Sequence, residues 1–215
     1  ASIRYRGQEL DRKTFPDKWL EEVRRLTKKE QIGLVLETQK NVYMDQRAAE
    51  IYQQLFKEKT KDCTEEERER IKRKNKYLYK NNMTEYDLNQ EKTHKICIVG
   101  SRDLINEIRH QIESGCEIVQ SVPFGKKWLL ECLPTGCNKG NAVRYLNQQL
   151  GIEKAESMSF GDGENDAELL LATGTGIAME NGSAELKKIA DAVCGTVQED
   201  GIYKELVNRE IIKER

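Results

Sequence analysis

The sequence predicts an α/β fold in two parts, and three observations carry that prediction. Residues 140–215 alternate short apolar runs with segments of helical period, the pattern of parallel βαβ units. Residues 96–215 also hold most of the regular apolar clusters and most of the 15 glycines. Residues 1–60 mix apolar and charged positions instead, and 61–95 are dominated by charged and amide side chains. No internal repeat is visible.

The elements follow in order. Phe15–Thr27 places Trp19, Val23 and Leu26 at helical spacing. GLVLET (33–38) and NVYM (41–44) read as two short strands around Gln39–Lys40, although Gln-Lys is not a favoured two-residue turn. Arg47–Lys57 is an amphipathic helix on Ala48, Ile51, Leu55 and Phe56. Thr64–Lys76 opens with Thr64 and Glu67 at capping-box spacing and runs from acidic to basic, as the helix dipole favours. Its basic half, with Tyr77 and Tyr79 beside it, has the residue types of a phosphate-backbone contact. A solvated face with charges paired at i, i+4 accounts for it better.

From Lys95 the pattern changes. Lys95–Gly100, Cys116–Val122 and Trp128–Cys132 read as strands, with a helix over Arg102–Glu113. Helices then follow at Gly140–Leu150, Asp166–Ala172, Ala184–Ala190 and from Ile202. Strands at Ser157–Phe160, Gly176–Met179 and Ala192–Cys194 lie between them.

A chain of 215 residues buries a real core. Lys and Arg total 36 against 37 Asp and Glu, so the net charge is −1. That balance lacks the broad positive field that non-specific nucleic-acid or membrane-surface binding needs, and argues against nucleic acid as a partner. No apolar run approaches the roughly 18 residues of a membrane span, and ASIRYRGQEL at the start has no signal-peptide core. No membrane partner is expected. The six cysteines include Cys132 and Cys137, which are close but not a CxxC, and two histidines are too few for a Cys/His zinc site. Reduced thiols and a cytoplasmic location are expected. The first residue is Ala, so a Met was removed or the chain is a fragment or a processed product.

The chemistry concentrates in FGDGENDAE, residues 160–168. A short apolar strand leads into Gly161-Asp162-Gly163-Glu164-Asn165-Asp166, and a Leu-rich helix follows. Asp162 and Asp166 supply hard oxygen ligands of the kind Mg²⁺ takes beside water and a substrate phosphate. The same residues also suit a helix cap, with Asp162 or Asn165 closing the first turn. The residues alone leave both readings open. A calcium loop of the EF-hand type is excluded. Counting from Asp162, its sixth position is Ala167 rather than Gly and its twelfth Thr173 rather than Glu.

Upstream, in LPTGCNKGNAV (133–143), Lys139 sits where a strand gives way to a helix, between Gly136 and Gly140. A cation at a helix start opposes the dipole unless an anion lies near. A Lys and a carboxylate pair at neighbouring strand ends could together hold a phosphate and its metal. A surface Lys in a turn is the plainer reading.

Four motifs in order, LPTGCNKGNAVRYL, FGDGENDAELL, GIAMENGSAELKKIADAV and QEDGIYKEL, resemble the carboxyl half of the Cof-type phosphatases of the haloacid dehalogenase (HAD) superfamily. The resemblance implies the carboxyl half of a Rossmann-like parallel-sheet HAD core over 128–215. It also implies a large α/β cap over 1–127, and RYRGQEL near the start resembles the segment leading into that cap. It implies that Lys139 neutralises the phosphoryl group, that Asp162 coordinates Mg²⁺, and that Asn165 contacts the phosphate or orients the site. Asp166 would support the metal or bind it directly. Gly182 stands where the family usually has Ala, a minor departure.

The large departure is that no Asp-x-Asp occurs in the 215 residues, whereas the family takes its nucleophile and acid/base from that pair. Covalent phosphoryl transfer has no first step without the nucleophile. The expectation is therefore the cap and carboxyl half of a Mg²⁺-dependent phosphomonoesterase acting on a small phosphorylated metabolite such as a sugar phosphate. An upstream fragment or second chain would complete it. The alternative is a non-catalytic relic that binds phosphate or a partner.

Overall fold

The computed structural model describes residues 2–29, 32–74 and 81–214. The chain divides into two compact units, Ala1–Gly136 and Cys137–Arg215.

The first unit opens with a hairpin that the sequence reading did not mark. β1 (Ser2–Tyr5) and β2 (Gln8–Arg12) pair antiparallel across Arg6–Gly7. Both turn residues have positive φ, 47° and 82°. A tight hairpin turn needs such residues, and only the glycine advertises it.

α1 (Asp17–Lys29), β3 (Gly33–Thr38), β4 (Val42–Met44) and α2 (Gln46–Lys59) follow close to their expected places. α3 (Glu65–Lys74) buries no residue. Its box forms as the spacing implied, with the Glu67 N–H donating to Thr64 Oγ1 and the Thr64 N–H to Glu67 Oε2. Tyr77, Tyr79 and the last two residues of the expected helix lie outside the described residues.

β5 (Asn81–Asn82), β6 (Thr93–Gly100), α4 (Arg102–Ile112), β7 (Cys116–Phe124) and β8 (Lys127–Pro134) complete the unit. The strands form one six-stranded sheet in the order β5-β4-β3-β6-β8-β7. Every residue of β3 is buried because both faces of the sheet are covered. Leu34 and Leu36 pack with Leu20 and Val23 of α1 and with Ile105, Ile108 and Ile112 of α4, whereas Val35 packs with Ala48 and Tyr52 of α2. A strand covered on both faces reads as a continuous apolar run, as GLVLET does.

The strands over 93–134 join this sheet as antiparallel neighbours. β8 is bonded to β6 on one side and to β7 on the other, so a boundary between 127 and 128 would cut the β7–β8 hairpin. The first unit instead ends at Gly136.

The second unit holds the parallel sheet. α5 (Lys139–Leu150), β9 (Met158–Gly161), α6 (Ala167–Ala172), β10 (Thr175–Met179), α7 (Ala184–Ile189), β11 (Ala192–Cys194) and α8 (Gly201–Asn208) alternate as expected. The order is β11-β10-β9, all parallel. Leu170 of α6 and Leu186 of α7 pack with Ala178 of β10. A second cluster joins Ile177, Met179 and Cys194 with the half-buried Met158 and Phe160. Among the described residues no helix is long and apolar enough to cross a membrane.

Candidate active site

Parallel strands bring their carboxyl ends to one edge of a sheet, and loops at that edge are where such folds bind ligands. β9 and β10 end at Gly161 and Met179, so the loops at 162–166 and 180–183 emerge side by side. The Ser183 N–H donates to the Asp162 carbonyl at 3.1 Å and ties the two loops together. Ser183 also caps α7 through its Oγ, which accepts from the Leu186 N–H.

Lys139 reaches the same place from α5. The helix starts at Lys139 because Asn138 caps it, its side-chain oxygen accepting from the Asn141 N–H. α5 and α6 then lie so close that a Cβ on the buried Gly140 would stand 2.2 Å from the Glu168 carbonyl oxygen. Only glycine permits that approach.

Lys139 Nζ donates to Asp166 Oδ1. The other oxygen of Asp166, Oδ2, accepts the N–H groups of Asp162 at 3.0 Å and Gly163 at 3.1 Å. Asp166 is 4% exposed. Burial pushes its carboxyl upward, but the Lys139 ammonium and the two backbone N–H groups outweigh burial and hold it below the ordinary Asp value. A Cβ on Gly161 would fall 2.5 Å from that of Asp166, so this glycine makes room for the buried carboxylate.

The sequence left metal site and helix cap open for this loop, and neither Asp162 nor Asn165 caps α6, whose N-cap position is Asp166 with no side-chain cap. Asp166 ties the 162–163 backbone and Lys139 together, and Asp162 presents an exposed carboxylate. Among the described residues no hydrogen bond or ion pair engages the Asp162 side chain. Asn165 is exposed in the 3₁₀ turn Glu164–Asp166, with its side chain toward Gly163. Lys139, Asp162 and Asp166 are therefore brought together, with Asn165 on the rim of the same loop. Asn138 and Ser183, which fix the two helix starts, went unremarked in the sequence, though Asn and Ser before helical runs are capping signals. Among the described residues no three His, Cys, Asp or Glu side chains cluster closely enough to hold a metal ion.

The family model of the haloacid dehalogenase-like hydrolases matches residues 1–206. An uncharacterised protein from the pdhA 5′ region of Geobacillus stearothermophilus is 42% identical over 82 residues, covering 38% of this chain and 86% of that protein. The HMP-PP phosphatase of Serratia proteamaculans is 36% identical over 95 residues, covering 44% of this chain and 35% of that enzyme. A solved sugar phosphatase of HAD subclass IIB superposes with a TM-score of 0.68 at 20% identity, covering 95% of this chain and 71% of its own. The chain belongs to the haloacid dehalogenase-like hydrolases, and its fold is the carboxyl half of their Rossmann-like core joined to a large α/β cap.

Proposed function

We propose that this chain carries the cap and the Lys–carboxylate half of the active site of a Mg²⁺-dependent phosphomonoester hydrolase. The observation that carries the reading is the Lys139 ammonium held by buried Asp166 beside the uncommitted carboxylate of Asp162. A fixed ammonium and a free hard-oxygen donor suit a phosphate and its metal. Relatives that are phosphatases of HMP-PP and of sugars support a small phosphorylated metabolite as substrate.

In this reading Lys139 binds the phosphoryl oxygens and Asn165 orients them from the rim. Asp162 holds Mg²⁺, with water and substrate filling the other positions. Asp166 has both oxygens engaged, so it positions Lys139 and the 162–163 backbone around the metal carboxylate. Bound Mg²⁺ supplies Lewis-acid stabilisation of the charge developing on the phosphoryl oxygens. The first unit is the substrate-selecting cap. The 215 residues contain no Asp-x-Asp, so the reading takes its nucleophile from an upstream segment or a second chain. The reading places the chain in the cytoplasm, in keeping with the reduced thiols expected from its cysteines.

The alternative is a phosphate-binding module without turnover. Titration of the chain with Mg²⁺ and inorganic phosphate, followed by an assay of phosphate release, separates the two. Mg²⁺ binding lost in Asp162→Asn and phosphate binding lost in Lys139→Ala, with turnover once an Asp-x-Asp segment is present, supports the hydrolase. Binding with no turnover under that condition supports the module.

A further inference from the structure

A cleft of about 670 Å³ opens in the first unit between α1, the start of β3 and the first turn of α2. That volume lies within the range of about 300–1,000 Å³ usual for small-ligand sites. The floor is apolar, with Ile32 and Leu34 buried and Met83 half-buried. Among the described residues four cations, Arg24, Arg25, Lys28 and Arg47, stand around it against two carboxylates, Glu21 and Asp45. Among the described residues the cleft lining is net positive on a chain of net charge −1, a local concentration of one sign.

Part of this charge is met within the unit, since Glu21 stands one turn before Arg25 on α1 and Arg47 interacts with the Asp45 carboxylate that caps α2. Arg25 and Lys28 both face the cleft, and among the described residues Glu21 is the one acid of α1 that lines it with them. Asp45 is committed to the backbone, with Oδ1 accepting from the Ala48 N–H at 2.7 Å and Oδ2 from the Leu34 N–H at 2.9 Å. Arg24 and Lys28 are like charges at i, i+4, a spacing that costs a helix a few tenths of a kcal/mol. Among the described residues the side chains of Arg25 and Lys28 have no ion-pair or hydrogen-bond partner. Arg24 is set over the Tyr86 ring at 5.5 Å.

We propose that this cleft binds a small organic anion bearing an apolar group, its charged head among Arg25, Lys28 and Arg47 and its apolar part on Ile32 and Leu34. The inference does not rest on the hydrolase reading, whose Lys139, Asp162, Asn165 and Asp166 all lie in the second unit.

Titration of the full chain with phenylphosphonate, followed by amide chemical shifts, tests it. Inorganic phosphate and benzyl alcohol serve as the two half-ligands. Saturable shifts at residues 24–28, 32–34 and 46–48 are expected, with phenylphosphonate at least tenfold tighter there than either half-ligand. Arg25→Glu with Lys28→Glu, at two exposed positions, is expected to weaken binding at least tenfold with the rest of the spectrum unchanged. Should that pair not fold, Lys28→Gln alone is expected to weaken it about threefold. No saturable shift at these amides, equal affinity in the variants, or shifts confined to residues 139–166 would overturn the proposal. The last result would place the anion at the Lys139 site and leave the hydrolase reading intact.

Discussion

Lys139 and Asp166, 27 residues apart in sequence, form an ion pair in which the carboxylate side chain is 5% exposed and the lysine side chain 52%. A cation at a helix start is disfavoured by the dipole, and here the buried carboxylate supplies the missing anion. The pair joins α5 to the loop after β9.

Asp166→Ala leaves the Asp162 and Gly163 N–H groups and the Lys139 ammonium without their acceptor. A loss of about 1–3 kcal/mol is expected in chemical denaturation at pH 7. The sign of the pH dependence follows from the lowered carboxyl. The contribution is fully present above the unfolded Asp value, near 3.9, and is lost as pH falls through the lower folded value. Wild type and Asp166→Ala should therefore converge in stability toward the acid end of that window.

Gly140→Ala forces a Cβ into the Glu168 carbonyl oxygen, which is backbone and cannot turn aside. Separation of α5 from α6 is expected, at a cost of about 1–3 kcal/mol. For a unit of this size that lowers Tm by several degrees, readable by circular dichroism. Lys139 would shift with its helix, so phosphate affinity should fall in the same variant.

Glu91 of the first unit accepts from Thr38 Oγ1, from Tyr43 Oη at 2.5 Å and from Asn41 Nδ2 at 2.7 Å. Burial raises its carboxyl, but these three donors outweigh burial and hold it below the usual Glu value. Its stabilisation is present above the unfolded Glu value, near 4.3, and fades as pH falls through the lower folded one. Glu91→Gln should destabilise the unit by about 1 kcal/mol at pH 7 and flatten its stability profile between pH 5 and 3, as measured by urea midpoints.

The strands and helices of the second unit were legible because each apolar run is local and each turn carries glycine or a capping residue. The same holds for GLVLET, buried on both faces, and for the Thr64–Glu67 box. The β1–β2 hairpin was not legible, because Arg6 adopts a positive φ that its identity does not announce. The membership of β8 was also hidden, since strand pairing is decided by partners distant in sequence. Within the site, FGDGENDAE marked the loop and Lys139 marked the second element. Asp166 rather than Asp162 is buried because its carboxylate lies against Gly161 and pairs with Lys139 27 residues away, and no local pattern contains the second contact.

The measurement that tests the account most directly is Mg²⁺-dependent phosphate release from small phosphomonoesters by the protein from its native source, with its intact mass determined. The account predicts a polypeptide or complex that includes an Asp-x-Asp segment, turnover abolished by chelation, and a loss of at least about 100-fold in Asp162→Asn. A species matching 24.9 kDa, with no turnover of any phosphomonoester at saturating Mg²⁺, would contradict it.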